Sequence, residues 1–231
     1  MIQKILDDWK KVGMDLFWGD LFDCRFLIAD LLKKSKKDII LDLSCGPGII
    51  LHESNASLKI GLDLDIKKIH RAKKLNGNLQ LICGDIRHLP FRDNFFKNIL
   101  SIHSLSSLNN SERRLACNEI KRVISKKNSN IIFSAANIRS KHYPRIYKEN
   151  VESFIHYNEL IELFNEEYRI EIFAYNSFPK VVLFILRKIF LNLPKNSYLQ
   201  SQLEKCIFKI LKTNNLKEGR AFVMICQKEI E

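Results

Sequence analysis

The segment Ile39 to Ile50, IILDLSCGPGII, constrains this chain more than any other. A nearly unbroken apolar run enters a turn with glycine at positions 46 and 48, and helical spacing resumes after it. Continuous apolar strands are those covered on both faces, as in parallel α/β sheets. Gly46 and Gly48 permit a tight strand-to-helix turn and close approach of backbone to a ligand. Leu62-Asp63 and Gly84-Asp85 repeat the strand-end pattern downstream. Carboxylates at the ends of successive parallel strands converge on one crevice.

Strand and helix signals alternate along the chain. Strands are expected at Ile39–Leu43, Leu58–Leu62, Leu79–Cys83, Asn98–Ile102, Ile131–Ala135, Tyr168–Phe173 and Arg220–Cys226. Helices are expected over Ile66–Leu75, from a cap at Asn110 or Ser111 to about Ile124, and over Tyr157–Phe164 with Asn158 as cap. Asn128 to Asn130 supplies a turn without glycine. The pattern predicts a doubly wound α/β sheet in a single domain, 1–231. A helical extension over 1–37 and a mainly helical insertion over 178–217, before the last strand, complete the expected organisation.

Asp42 is placed to hold a water or ammonium network beside the turn Ser44-Cys45-Gly46-Pro47-Gly48. Asp63, roughly twenty residues on, offers two carboxylate oxygens to the two hydroxyls of a ribose. Asp85 accepts from an adenine amino group, while Leu62 and Ile86 enclose the ring. A dinucleotide is the rival ligand of such a crevice, but Ser44 stands where its fingerprint has the first glycine, and Gly48 follows Gly46 by two residues where three are required. Together ILDLSCGPG, GLDLD and CGDIRHLPFRDNFF resemble the first three motifs of the class I methyltransferases. The resemblance implies S-adenosylmethionine as cofactor and a seven-stranded Rossmann-like sheet whose final strand is antiparallel. Carried onto this sequence, it puts Asp42, Ser44, Cys45, Gly46, Gly48, Asp63, Leu64, Asp85, Ile86 and Ser101 at the cofactor.

A narrower resemblance runs through SIHSLSSLNNSERRLACNEIKRV, Ser101 to Val123, and faintly through Phe154 to Leu160. These segments look like the eukaryotic tRNA methyltransferases that esterify carboxymethyluridine at the wobble position. That family implies tRNA as substrate and a small zinc-binding activator as partner. The chain departs from it in having Ser106-Ser107 where the family has paired histidines, Pro47 in the first motif, and no tyrosine-rich entry sequence. A carboxylate acceptor is ionised near neutral pH and requires no general base. Candidate acceptor-positioning residues are His103, Arg113 and Arg139, with Arg114, Arg145, His156 and Tyr157 as further substrate contacts. The bland alternatives are packing for His103 and exposed surface cations for the arginines.

The balance of 38 Lys plus Arg against 26 Asp plus Glu, a net charge of +12, favours a polyanionic partner without separating RNA from an anionic membrane. The basic sets Lys67/Lys68/Arg71/Lys73/Lys74 and Arg139/Lys141/His142/Arg145/Lys148, with Tyr143, Tyr147 and Tyr157, fit an RNA backbone and its bases. Six cysteines without a CxxC pair argue for reduced thiols and no metal cluster. The N-terminal residues lack a signal-peptide apolar core, and Arg187 and Lys188 cut short the apolar run at Val181, so stable membrane insertion is not expected and a cytoplasmic or nuclear location is. Two other functions share these features: methylation of a small metabolite, quinone or lipid, and a catalytically silent RNA-binding scaffold.

Overall fold

The computed structural model describes residues 28, 38–75, 77–137, 155–175, 212–213, 215–216 and 221–228. Their order is β1 (Ile39–Leu43), α1 (Ile49–Glu53), β2 (Leu58–Asp63), α2 (Ile66–Leu75), β3 (Gln80–Cys83), β4 (Asn98–Ile102), a 3-10 turn (Leu105–Ser107), α3 (Asn110–Val123), β5 (Ser129–Ala136), α4 (Tyr157–Phe164), β6 (Arg169–Tyr175), β7 (Lys212–Thr213) and β8 (Ala221–Lys228). The strands form one sheet in the order β3-β2-β1-β4-β5-β8-β6-β7. Pairings from β3 through β5 are parallel, and β8 runs antiparallel to both β5 and β6. The seven expected strands and the antiparallel last one are present, and the two-residue β7 adds an edge beside β6. The 1–37 extension, apart from buried helical Ile28, and nearly all of the 178–217 insertion lie outside the described residues.

Side chains alternate across each strand, so a sheet covered on both faces builds two apolar layers. Leu41, Leu43, Ile60, Leu62, Ile99 and Phe133 pack with Ala116, Cys117, Ile120 and Val123 of α3 and with Leu160 and Phe164 of α4. On the opposite face Ile40, Leu100, Ile102 and Ile132 pack with Leu51 of α1, Ile69 of α2 and Ile28. Among the described residues, no helix is long and apolar enough to cross a membrane.

Helix ends correct two expectations. The cap of α3 is Asn109, one or two residues earlier than expected. Its side chain accepts from Glu112 N at 3.0 Å, and Glu112 returns a carboxylate oxygen to Asn109 N at 3.0 Å, a reciprocal capping box. At α4 the cap is His156, whose Nδ1 accepts from Asn158 N at 3.2 Å, so Asn158 receives the cap that it was expected to provide. The glycine-free turn before β5 holds as expected, with Asn128 at φ +48°.

Candidate active site

The strand order reverses between β1 and β4, and in open α/β sheets a crevice opens at that point beyond the strands' C-terminal ends. Registers Leu43↔Leu62, Leu43↔Ser101 and Asp63↔Cys83 bring four strand ends to one edge. Two non-glycine residues with positive φ stand there: Ser44 (φ +57°) just after β1 and His103 (φ +55°) just after β4. Such conformations are costly for residues with a Cβ and concentrate where a site demands them.

The turn after β1 is bonded to the end of β2. Cys45 N donates to Leu62 O at 3.0 Å, Gly46 N to Asp63 Oδ2 at 2.9 Å, and Gly48 N to Cys45 O at 2.9 Å. Gly46 (φ +52°) and Gly48 (φ +72°) meet the demand for a left-handed backbone. A Cβ built on Gly46 touches nothing within 4 Å, so open space lies before the turn. Gly61 has the opposite reason for being glycine: a Cβ there would stand 2.7 Å from Cys45 Sγ and 3.0 Å from Leu81 Cδ2. Gly61→Ala therefore drives β2 off the motif turn. The expected result is a loss of about 1–3 kcal/mol in unfolding free energy, measured by urea titration, together with weaker ligand binding.

Asp42 and Asp63 are both buried. Burial first, and the neighbouring Asp63 second, push the Asp42 carboxyl up to about 8. Burial, then the charges of Asp42 and Asp63, raises the Cys45 thiol far above its ordinary value, so Cys45 lines the turn as an inert thiol. Asp63 Oδ1 also accepts from Asp65 N at 2.9 Å, and Lys68 Nζ lies 4.0 Å away. A carboxylate has roughly four acceptor positions, so with two backbone donors in place about two are left for a pair of hydroxyls. Leu64 is 67% exposed beside this carboxylate, and buried Ile86 follows the Gly84-Asp85 turn, together giving apolar walls for a ring. Asp85 is held by Arg87, whose hydrogen bonds and charge lower its carboxyl below the ordinary range despite partial burial.

The acceptor-side expectations separate. His103 is at the cleft: Nε2 is buried with no hydrogen-bond partner among the described residues, and burial lowers the imidazole to about 4. Because β4 ends at Ile102, the positions that follow the fourth strand are His103-Ser104, and Ser106-Ser107 fall in the 3-10 turn. Ser101 is buried with its Oγ 2.5 Å from Ser104 Oγ, which places it in the framework of this turn. Arg113 is corrected. It is 1% exposed, donates to Leu105 O at 3.2 Å and to Asn110 Oδ1 at 3.1 Å, and pairs with Glu159 at 3.1 Å. Its guanidinium ties α3 to α4 and the 3-10 turn, a structural role in place of the expected acceptor contact. Arg114 is exposed on α3, while His156 caps α4 and stacks on Tyr157 at 4.2 Å, with Tyr157 against Phe222. Arg139, Arg145, Tyr143 and Tyr147 lie outside the described residues.

Residues 40–127 match the family described as a methyltransferase domain. Over 97% of its length the chain superposes on 97% of a chain from the complex between the Haloferax volcanii Trm112 methyltransferase activator and a methyltransferase, with a TM-score of 0.64 at 15% identity. The fold is that of a class I methyltransferase. An Archaeoglobus fulgidus SAM-dependent methyltransferase gives a TM-score of 0.64 at 16% identity, covering 95% of this chain and 100% of that one. In sequence, the chain is 36% identical over 108 residues to the uncharacterised Methanocaldococcus jannaschii protein MJ0638, which is 46% of this chain and 45% of the relative. It is 28% identical over 116 residues to MJ1252 of the same organism, 49% of this chain and 44% of that one. The chain thus spans less than half the length of these curated relatives.

S-adenosylmethionine is the cofactor that the matched domain and this methyltransferase fold indicate, and the cleft fits it. The space before Gly46, the unfilled acceptor positions of Asp63 and the exposed face of Leu64 match a nucleoside, and buried Asp42 beside the turn matches the positive charge of a sulfonium and an ammonium.

Proposed function

We propose that the protein is an S-adenosylmethionine-dependent methyltransferase whose acceptor arrives ionised, as the carboxylate of a carboxymethyl group on a tRNA wobble uridine. The observation that carries this reading is His103. An imidazole lowered to about 4 is a poor general base, because basicity falls with the pKa of the conjugate acid. A carboxylate acceptor needs no such base, because it is already ionised at neutral pH. When bound, the cofactor supplies a methyl group on a positively charged sulfur that leaves as a neutral thioether. The chain's own work is to grip the nucleoside through Asp63 and Asp85, to hold the glycine turn against β2, and to orient the acceptor. Neutral His103, just after β4 at the cleft, is the residue proposed for that last task.

Two features support RNA and an activator. Lys67, Lys68, Arg71, Lys73 and Lys74 are all exposed on α2, whose Ile69 and Ala72 are buried, so one helix presents five cations to a phosphate backbone. Among the described strands β3 is one of the two at a sheet edge, with Gln80 and Cys83 exposed, and a strand at an edge can pair with another chain. The Haloferax volcanii protein of like fold is solved with the Trm112 methyltransferase activator, and a small activator of that kind is the partner proposed here.

The test offers labelled S-adenosylmethionine with total tRNA, lipid extract and soluble metabolites as separate acceptor pools, with and without the activator. Label is expected in tRNA and in an alkali-labile form, since a methyl ester is saponified whereas a methyl on nitrogen or carbon is not. Label confined to lipid or metabolites, or stable to alkali in tRNA, overturns the assignment.

A further inference from the structure

The contact around Arg87 is a polar network that the family resemblance does not account for. Arg87 Nε donates to Asp85 Oδ1 at 3.0 Å and Oδ2 at 2.9 Å, Nη2 donates to Oδ2 at 2.6 Å, and the backbone N of Arg87 donates to Oδ1 at 2.8 Å. Its remaining nitrogen, Nη1, grips Glu112, the residue that closes the capping box of α3 with Asn109. Three N–H groups thus occupy the Asp85 carboxylate, and of roughly four acceptor positions one is left. The guanidinium fork fixes the plane of the carboxylate, as only a bidentate partner does.

We infer that Arg87 is a positioning residue that makes Asp85 read the six-position of the purine, an inference that rests on the donor-binding role of this cleft. A single remaining acceptor position suits a single N–H, that of an adenine amino group. An oxo group at the same place, as in hypoxanthine, would set one acceptor against another. That discrimination holds only while Asp85 is ionised and fixed: a protonated carboxyl can donate to the oxo group, and a rotating carboxylate loses its aligned hold on the amine, so either change narrows the preference. Glu112 completes the device by anchoring the far end of Arg87 to the start of α3, so the base-reading carboxylate is braced on a helix as well as on its own loop.

The experiment compares S-adenosylhomocysteine with S-inosylhomocysteine by calorimetry on the full chain, for the wild type, Arg87→Met, Arg87→Lys and Glu112→Gln. The wild type is expected to prefer the adenosyl form, and Arg87→Met to cut that preference about tenfold by losing the adenosyl form selectively. Lysine, a point charge without the fork, restores less than half of the lost preference on a logarithmic scale. Glu112→Gln retains an acceptor for the helix cap and lowers the preference in the same direction by a smaller factor, which serves should Arg87→Met fail to fold. Equal weakening of both ligands by Arg87→Met, or an unchanged preference in both Arg87→Met and Glu112→Gln, overturns the inference while leaving the donor site intact. A wild type that binds neither ligand overturns the donor site itself and this inference with it.

Discussion

Replacing Asp63 with Ala is expected to weaken S-adenosylhomocysteine binding about a hundredfold or more. The carboxylate joins two jobs in one group. It holds Gly46 N at 2.9 Å and Asp65 N at 2.9 Å, fixing the glycine turn to the end of β2, and it keeps acceptor positions for the ribose. Hydrogen bonds to a charged group contribute about 1.5–3 kcal/mol each, so losing two ligand bonds alone corresponds to about a hundredfold or more. Asparagine does not rescue the site: its amide nitrogen must face either Gly46 N–H or Asp65 N–H, setting donor against donor. The effect belongs to the donor, so acceptor affinity should change little under conditions where the variant is still folded. Isothermal titration with S-adenosylhomocysteine checks the first statement, and equal affinity in wild type and variant would refute the role given to Asp63.

The parts of this fold that could be read from the sequence are those in which one physical effect dominates. Strands β1 and β4 fall at their expected bounds because apolar runs covered on both faces have few other places to go. Helix α2 does so because Ile69 and Ala72 are spaced on one face amid lysines. The start of α3 was harder to place, since Asn109, Asn110 and Ser111 are all good caps and only the return bond from Glu112 selects the first. The charge of Arg113 suggests an acceptor contact, but its spacing carries the opposite signal: it precedes Ala116, Cys117 and Ile120 by three, four and seven residues, which puts it on the buried stripe of the helix. The Arg87 brace joins residues 87 and 112, a pairing with no period and no motif, and the left-handed backbone at His103 is set by the turn after β4 and not by its residue type. Legible in the site were the acidic strand ends and the glycine turn. Their protonation states were not, because these depend on burial that only the packed chain reveals.

Asp42→Asn is expected to stabilise the protein without ligand at alkaline pH and to weaken donor binding at the same time. Asp42 sits inside β1, paired in register with Gly61 and Leu100, 3% exposed and close enough to Asp63 to feel its charge. Its carboxyl is raised to about 8 in the fold from 3.8 in an open chain, so between these values the folded state binds a proton that the unfolded state has lost. Asp42's contribution to stability is therefore greatest below pH 4, declines as pH rises, and is fully lost above pH 8. Each unit of such a shift is worth about 1.4 kcal/mol, and for a buried group that relaxes on ionising the whole penalty is on the order of a few kcal/mol. Asparagine has the same shape and nothing to titrate, so its thermal midpoint should lie several degrees above that of the wild type at pH 8.5, the gap narrowing as pH falls and closing only near pH 4. The donor reverses the preference, since its positive charges favour the carboxylate. Wild-type affinity for S-adenosylmethionine should accordingly rise between pH 6.5 and 8.5, with proton release visible as buffer-dependent heat, and both the rise and the release should vanish in the variant. A variant that melts below the wild type at pH 8.5 would mean that the Asp42 carboxylate is favourably held in the free protein and not penalised by burial, and the proton-linked grip on the donor would be wrong.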